Sequence, residues 1–269
     1  MPKPLLISLA PNGARKGKAD HPALPITPEE IAATAKAGMQ AGARLLHLHV
    51  RDKDGQHSLS PEDYRPAIEA VEAAVGDGML IQITTEAVGR YSPAEQMDCV
   101  RQVMPDAASF AVRELVPEGG EDAAREFFHW VWEAGIRPQF ILYDVTDAKR
   151  FVTLRAEGVI PCARPHALFV LGRYAESGES DPNDLKPFVE NWPPAFPWSV
   201  CAFGRAERAV GDLAIQLGGH VRVGFENNLL TPGGETLTDN AEQVRAVAEL
   251  AARYGRPLAT ADEARGLFR

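Results

Sequence analysis

The sequence predicts a single (β/α)8 TIM barrel that spans residues 1–269. Short apolar, β-branched runs recur along the chain, and a charged, Ala-rich segment of helical character follows nearly every one. This alternation is typical of βα units around a parallel sheet. About eight such units fill a barrel of this length and leave no room for a second domain. A doubly wound sheet competes, but the turn at Pro11–Ala14 lacks the expected GxGxxG pattern.

The elements follow from these runs and from helix-start signals. The predicted strands are Leu5–Ala10, Leu45–Val50, Leu80–Thr85, Ala108–Val112, Gln139–Asp144, Ala167–Leu171, Trp198–Phe203 and Val221–Glu226. The predicted helices are Thr27–Ala41, Pro61–Val75, Pro93–Val103, Glu121–Ala134, Glu207–Leu217 and Asn240–Tyr254. At Thr27-Pro28-Glu29-Glu30, a cap residue, a proline and two acids stand in the order that a helix start prefers. The Pro-rich segment Ser177–Pro197 is predicted to be a long loop with a short helix inside it.

Composition and charge exclude several classes of protein. Lys and Arg number 28 against 37 Asp and Glu, so 28 − 37 gives −9 and an acidic surface that repels nucleic acid and anionic lipid. The three cysteines form no CxxC pair, which is typical of buried, reduced thiols. The first apolar stretch is too short for a secretion signal, and no window approaches the ~20 apolar residues of a membrane helix. We therefore expect a soluble, cytoplasmic protein.

Familiar catalytic motifs are missing from the sequence. It contains no GxxxxGK[ST], no GxSxG and no HExxH pattern. These absences argue against the commonest NTPases, serine hydrolases and zincins.

Predicted strand two carries two histidines at alternate positions, His47 and His49. Side chains alternate across a strand, so both imidazoles project to one face. At the carboxyl end of a barrel strand that face looks into the mouth, where barrel active sites are built. The pair therefore predicts metal ligation.

Predicted strand eight supplies a third ligand. Alternation sets Arg222, Gly224 and Glu226 on one face, and a closed barrel brings the end of this strand close to strand two. His47, His49 and Glu226 then leave one coordination position open, as in a catalytic zinc site.

Other polar residues gather at the same predicted rim. Arg222 needs a partner inside the barrel, either a core acid such as Asp144 or a substrate carboxylate. Thr84, Thr85 and Glu86 end strand three and supply two hydroxyls and an acid. Further charged residues are each interpreted as solvated loop positions: Arg113, Glu114, Arg173 and Arg205. The remaining histidines without a nearby partner are interpreted as surface or strand-start residues: His57, His129, His166 and His220.

Several stretches together resemble the β-keto acid cleavage enzyme family, which includes the 3-keto-5-aminohexanoate cleavage enzymes. They are APNGA, LPITPEEIA, AGARLLHLHVRDKDG, WSVCAFGR, LGGHVRVGFENN and GRPLATADEAR. The resemblance implies a homotetrameric TIM barrel that holds zinc through His47, His49 and Glu226. It also implies a retro-Claisen reaction in which a β-keto acid and acetyl-CoA give acetoacetate and a new acyl-CoA. Zinc would act as a Lewis acid, and Arg222 would balance negative charge in a poorly solvated cavity.

Three positions depart from the family pattern. Asn227 stands where the family usually has Asp after the glutamate ligand, so a catalytic carboxylate is lost. Ile141 replaces a second acid of the amino-keto acid enzymes, and Arg15 aligns with their amine-binding glutamate. We therefore expect an altered substrate with a neutral or anionic distal group. Glu86 is the candidate replacement carboxylate, and the predicted substrate-binding residues are Arg15, Thr84, Thr85 and Asn227.

Two other functions remain open at this point. A metal-dependent hydrolase or lyase would use zinc-bound water near neutral pH. A non-catalytic small-molecule binder would keep the metal and lack the acids at positions 227 and 141. An assay with zinc, acetyl-CoA and a panel of β-keto acids separates the three.

Overall fold

The computed structural model describes residues 2–268 and confirms the predicted barrel. Eight parallel strands close in the order β1-β10-β9-β8-β7-β6-β5-β2, and β3 and β4 form a separate antiparallel hairpin. The strands are β1 (Ile7–Leu9), β2 (Leu45–Leu48), β3 (Val50–Arg51), β4 (His57–Ser58), β5 (Leu80–Thr84), β6 (Ala107–Ala111), β7 (Arg137–Leu142), β8 (His166–Leu171), β9 (Trp198–Ala202) and β10 (His220–Val223).

Helices follow the barrel strands, as predicted. They are α1 (Pro28–Ala41), α2 (Pro61–Val75), α3 (Pro93–Val103), α4 (Val112–Leu115), α5 (Glu121–Glu133), α6 (Val145–Ala156), α7 (Leu185–Glu190), α8 (Glu207–Gln216), α9 (Asn240–Arg253) and α10 (Ala261–Gly266). The six predicted helices begin and end within one residue of the prediction. Thr27 caps α1 in a reciprocal capping box with Glu30, which explains the sharp start.

Three helices were not predicted: α4, α6 and α10. The side chain of Asp144 caps α6 by accepting from the Asp147 backbone N–H, but the β-branched residues of this helix obscure its period in the sequence. Helix α10 is short, and its Ala264, with the following Phe268, packs against Leu6, Leu45, Leu80 and Ala107. This packing covers the amino end of the barrel, and the carboxyl end of the strands remains accessible to a substrate.

The main hydrophobic core lies between the sheet and the helices. Phe110 and Phe140 of the sheet contact Phe127, Phe128 and Phe151 of the helices, with ring centres 4.8 Å apart for the Phe140–Phe151 pair. Burial of these large rings stabilises the outer layer. The three cysteines are buried, as predicted.

Strand eight of the prediction is shorter than expected. β10 ends at Val223, not at Glu226, because Gly224 adopts a φ of +145° and turns the chain. A Cβ at Gly224 would lie 2.0 Å from the Ala10 carbonyl oxygen, so only glycine fits there. Glu226 therefore reaches the barrel mouth from a turn.

Within residues 2–268, no helix has the length and apolarity needed to cross a bilayer.

Candidate active site

A cleft opens at the carboxyl end of the barrel strands, where catalytic sites of this fold lie. The space within the cleft, including the solvent at its opening, is about 530 Å³. Its polar walls are formed by Asn12, Gly13, Arg15, Lys16, His47, Thr84, Glu86, Arg173, Arg222 and Glu226, and its apolar walls by Ala14, Ile141, Tyr143, Val170 and Phe203.

Three candidate metal ligands converge in this region: His47, His49 and Glu226. The Nε2 atoms of His47 and His49 are 3.1 Å apart, and they lie 3.7 Å and 3.2 Å from Oε2 of Glu226. Zinc bonds of about 2.0–2.1 Å in tetrahedral geometry separate ligand atoms by about 3.3 Å. The observed spacing therefore fits an ion between the three side chains.

The protonation states also fit a metal. Burial lowers the pKa of His47 to about 4 and that of His49 to about 3, so both rings are neutral at pH 7. Burial alone would raise the pKa of Glu226, but the positive charge of the adjacent Arg222 holds it well below its usual range. A carboxylate and two neutral imidazoles are the forms that bind Zn²⁺.

A buried amide chain orients His47. Its Nδ1–H donates to the Gln82 side-chain oxygen at 2.8 Å, and Gln82 in turn donates to Gln139 at 3.1 Å. The hydrogen bond at Nδ1 leaves the Nε2 lone pair directed at Glu226. No spacing rule in the sequence indicates this support, because the three residues come from three strands.

The turn that carries Glu226 is fixed by its backbone. The Glu226 N–H donates to the Ala10 carbonyl, and the Phe225 N–H donates to the side-chain oxygen of Asn240, the first residue of α9. Asn240 also donates to the Pro11 carbonyl, and so ties the turn to the end of β1. The glycine at position 13 leaves room for the Glu226 side chain, because a Cβ there would lie 2.5 Å from Cγ of Glu226.

Arg222 pairs with the candidate ligand. Its Nη2 donates to Oε1 of Glu226 at 2.9 Å and contacts Sγ of Cys201 at 3.2 Å. The alternative prediction, that Arg222 pairs with Asp144, is wrong. The Asp144 side chain is half exposed, caps α6 and pairs with Arg113. Arg222 is thus a buried side chain that pairs with Glu226 and lines the cleft.

Glu86 lies in the cleft beside Arg173, with its Oε1 3.1 Å from an Arg173 guanidinium nitrogen. Burial and the negative charge of Glu226 raise the pKa of Glu86. A raised pKa brings a carboxyl group closer to the range in which it can exchange protons at neutral pH. Arg173, interpreted from sequence as a solvated loop residue, is therefore part of the site.

Two neighbouring cations project from the loop after β1. Arg15 is exposed at the rim, whereas Lys16 reaches inward and donates from Nζ to the Glu226 carbonyl at 2.6 Å. Sequence reasoning missed Lys16, since a loop residue has no periodicity that fixes its direction. Four cations and two carboxylates line the cleft, so it is locally positive in a chain of net charge −9.

Of the other three residues predicted to bind substrate, only Thr84 lines the cleft, whereas Thr85 and Asn227 do not. Thr84 lines the cleft, and its hydroxyl accepts from the Glu86 N–H. Thr85 is buried and donates to the Ser109 carbonyl, and it is not part of the cleft wall. Asn227 is also buried outside the wall, with no hydrogen-bond partner for its amide among residues 2–268. Ile141 lies in the wall, where its side chain makes the surface apolar.

The remaining charged rim residues and histidines have structural contacts. Glu114 is partly buried and accepts from the Ala87 N–H, unlike the solvated residue expected, whereas Arg205 is exposed, as expected. His57, His166 and His220 each begin a strand and are buried, and the His57 ring centre lies 5.2 Å from that of His49.

The fold and the converging polar side chains define an enzyme of the (β/α)8-barrel class. A family model described as beta-keto acid cleavage enzyme matches residues 4–269, and the chain belongs to this family.

Relatives of known activity match over nearly their whole length. The chain is 34% identical to a 3-keto-5-aminohexanoate cleavage enzyme of Fusobacterium nucleatum over 274 residues, covering 100% of this chain and 98% of that protein. It is 30% identical to a 3-oxoadipate:acetyl-CoA acetyltransferase of Cupriavidus necator over 276 residues, covering 100% of this chain and 95% of that protein.

A solved structure shares the fold. The ternary complex of ObcA with a C4-CoA adduct and oxalate superposes with a TM-score of 0.75 at 20% identity, over 92% of this chain and 67% of ObcA.

Proposed function

We propose that this protein is a zinc-dependent β-keto acid cleavage enzyme. It transfers the acyl group of a β-keto acid to CoA: the bond between C2 and C3 of the keto acid breaks, and its carboxymethyl fragment joins the acetyl group of acetyl-CoA. The products are acetoacetate and a new acyl-CoA, so all atoms are accounted for. The observation that carries the proposal is the convergence of two neutral imidazoles and one carboxylate in the barrel mouth.

His47, His49 and Glu226 would hold the ion. When bound, zinc supplies Lewis acidity toward the oxygens of the keto acid. Gln82 keeps the His47 lone pair directed at this point, and Arg222 balances negative charge that accumulates in the poorly solvated cleft.

Glu86 is proposed as the proton-transfer group that compensates for Asn227. Its carboxyl group lines the same cleft as Glu226, and its pKa is raised above the ordinary value, which is the direction that favours proton transfer at neutral pH. Thr84 helps to hold the Glu86 backbone in place, because its hydroxyl accepts a hydrogen bond from the Glu86 N–H at 3.0 Å.

The substrate is proposed to lack a distal ammonium group. Arg15 lies at the rim of the cleft where a substrate side chain enters, and Ile141 offers an apolar wall with no acid to bind an amine. A neutral or anionic distal group is compatible with both residues. Cytoplasmic location and a homotetrameric assembly are part of the same proposal.

Purified, zinc-loaded protein with acetyl-CoA and a panel of β-keto acids tests the proposal. Consumption of keto acid with stoichiometric acetoacetate and acyl-CoA formation is expected. Hydrolysis without CoA transfer would favour a hydrolase, and binding without turnover would favour a small-molecule binder. Family membership supports the transferase over both.

A further inference from the structure

Two cations of the cleft lie against one aromatic ring. Nζ of Lys16 is 6.0 Å from the ring centre of Phe203, and the guanidinium carbon of Arg173 is 5.2 Å from the same centre. Lys16 comes from the loop after β1, Arg173 from the loop after β8, and Phe203 from the loop after β9. Three separate loops thus bring two like charges together, which is unfavourable unless negative charge is also present.

The negative charge supplied by the protein is insufficient for both cations. Arg173 pairs with Glu86 at 3.1 Å. Lys16 makes no ion pair with any carboxylate of residues 2–268, and its ammonium donates to a backbone carbonyl, that of Glu226. One positive charge beside the candidate metal ligand therefore lacks a carboxylate partner.

The Lys16 backbone is held in place. The guanidinium of Arg51 donates to the carbonyls of Gly13 and Lys16, and so joins this loop to the β3–β4 hairpin. A cation on an anchored loop loses less conformational freedom when it binds an anion. The position of Lys16 is therefore suited to ligand binding.

An apolar surface completes the pocket. Ile141 of β7 and Val170 of β8 line the same cleft as Lys16 and Arg173. In the closed barrel β7 lies opposite β1, four strands away in either direction, so these side chains face the candidate metal ligands across the mouth. Methylene groups of a substrate would contact this surface.

We propose that Lys16 and Arg173 bind a second carboxylate of the substrate, so that the enzyme prefers a β-keto dicarboxylic acid. The β-keto acid end lies toward His47, His49 and Glu226, and its methylene chain lies against Ile141 and Val170. The distal carboxylate accepts hydrogen bonds from the Lys16 ammonium and the Arg173 guanidinium. This inference rests on the proposed function and assigns the substrate class to the same cleft.

Matched substrates test the inference on the zinc-loaded full chain with acetyl-CoA. 3-Oxoadipate carries the distal carboxylate, 3-oxohexanoate has a neutral chain of the same length, and 5-amino-3-oxohexanoate carries an ammonium. We expect kcat/KM to be at least tenfold higher for 3-oxoadipate than for 3-oxohexanoate. That ratio should fall at least tenfold in Lys16→Met and in Arg173→Met, and Lys16→Arg should restore most of it.

Lys18→Met is the matched control. Lys18 lies two residues further along the same loop, is exposed and pairs with Glu30 at 2.6 Å. The preference for 3-oxoadipate should persist in this variant. A wild-type ratio near one, or a ratio that Lys16→Met leaves unchanged, would overturn the inference.

Calorimetric titration of each acid without CoA separates this inference from the proposed function. If no keto acid is turned over, but 3-oxoadipate binds more tightly than 3-oxohexanoate in a Lys16-dependent way, the transferase proposal fails and the dicarboxylate site stands. If Lys16→Met raises only the KM for acetyl-CoA, the cations serve the phosphates of CoA and the dicarboxylate site is wrong.

Discussion

The two carboxylate oxygens of Glu226 have different neighbours, and Arg222 contacts only one of them. Oε1 accepts from Arg222 at 2.9 Å, whereas Oε2 lies 3.2 Å from Nε2 of His49 and has no hydrogen-bond donor among residues 2–268. An unsatisfied buried carboxylate oxygen is costly, and a bound cation would satisfy it. The pairing with Arg222 thus fixes which oxygen is available to a metal.

Replacement of both histidines should remove the metal. His47→Ala with His49→Ala is expected to lower zinc content from about one ion per chain to near zero, because one carboxylate alone binds zinc weakly. The barrel should stay folded, since the loss lies at the mouth and spares the core. Elemental analysis after dialysis measures the content, and circular dichroism checks the fold.

His129→Ala is the matched control for that double variant. His129 lies on the exposed side of α5 and donates to the Gly158 carbonyl. It should keep the full zinc content. A full complement in the double variant would show that the metal binds elsewhere.

Glu86→Gln should separate catalysis from metal binding. Loss of the proton-transferring carboxyl group is expected to lower kcat by about 10²–10⁴ while zinc content is unchanged. Steady-state kinetics with the best keto acid of the panel, together with elemental analysis, make the measurement. Glu69→Gln on the exposed face of α2 should behave like the wild type. Turnover unchanged in Glu86→Gln would leave Arg222 and the metal as the main catalytic elements.

Arg15→Glu should change the preference for substrate charge. An ammonium within ~4 Å of Arg15 is repelled by about 1 kcal/mol in full solvent, and more in a partly closed cleft. Reversal of the charge at this position should raise the kcat/KM ratio of 5-amino-3-oxohexanoate to 3-oxohexanoate roughly tenfold or more. If the wild type already prefers the amino substrate, Arg15 does not select against it.

Glu207 should make stability depend on pH. Burial raises the pKa of this carboxyl group to about 8 in the folded protein, from an ordinary value of 4.5. Its protonated form therefore contributes stability that is fully present below about pH 4.5 and is lost as the pH rises through about 8. Thermal unfolding of the zinc-loaded wild type at pH 5 and pH 8.5 should show this loss in Tm.

Glu207→Gln provides the comparison, because a neutral amide keeps a side-chain oxygen to accept from Gln243 and Asn228. Between pH 5 and pH 8.5, the Tm of this variant should fall by several degrees less than the Tm of the wild type. Parallel curves for the two proteins would mean that Glu207 is ionised, or that its ionisation is compensated, in the folded state.

Sequence periodicity predicted the barrel and the pairing of the two histidines: His47 lies in β2, His49 is the residue that follows the end of β2 at Leu48, and the two side chains lie together. It identified Glu226 although the strand ends at Val223, because the turn at Gly224 returns the side chain to the same mouth. Lys16 and Arg173 were not recognised as site residues. Their directions depend on contacts between loops that are distant in the sequence, such as those with Phe203.

The anchoring of the Glu226 turn by Asn240 has a consequence for evolution and engineering. Residues 229–239 leave that turn and return to α9, and Leu229 and Leu237 close the base of the excursion through a backbone hydrogen bond. Both ends are thus fixed independently of the length between them, and loop-closure entropy grows only slowly with length. Extra residues at the Gly233–Gly234 tip would add new surface to the protein without displacing Glu226.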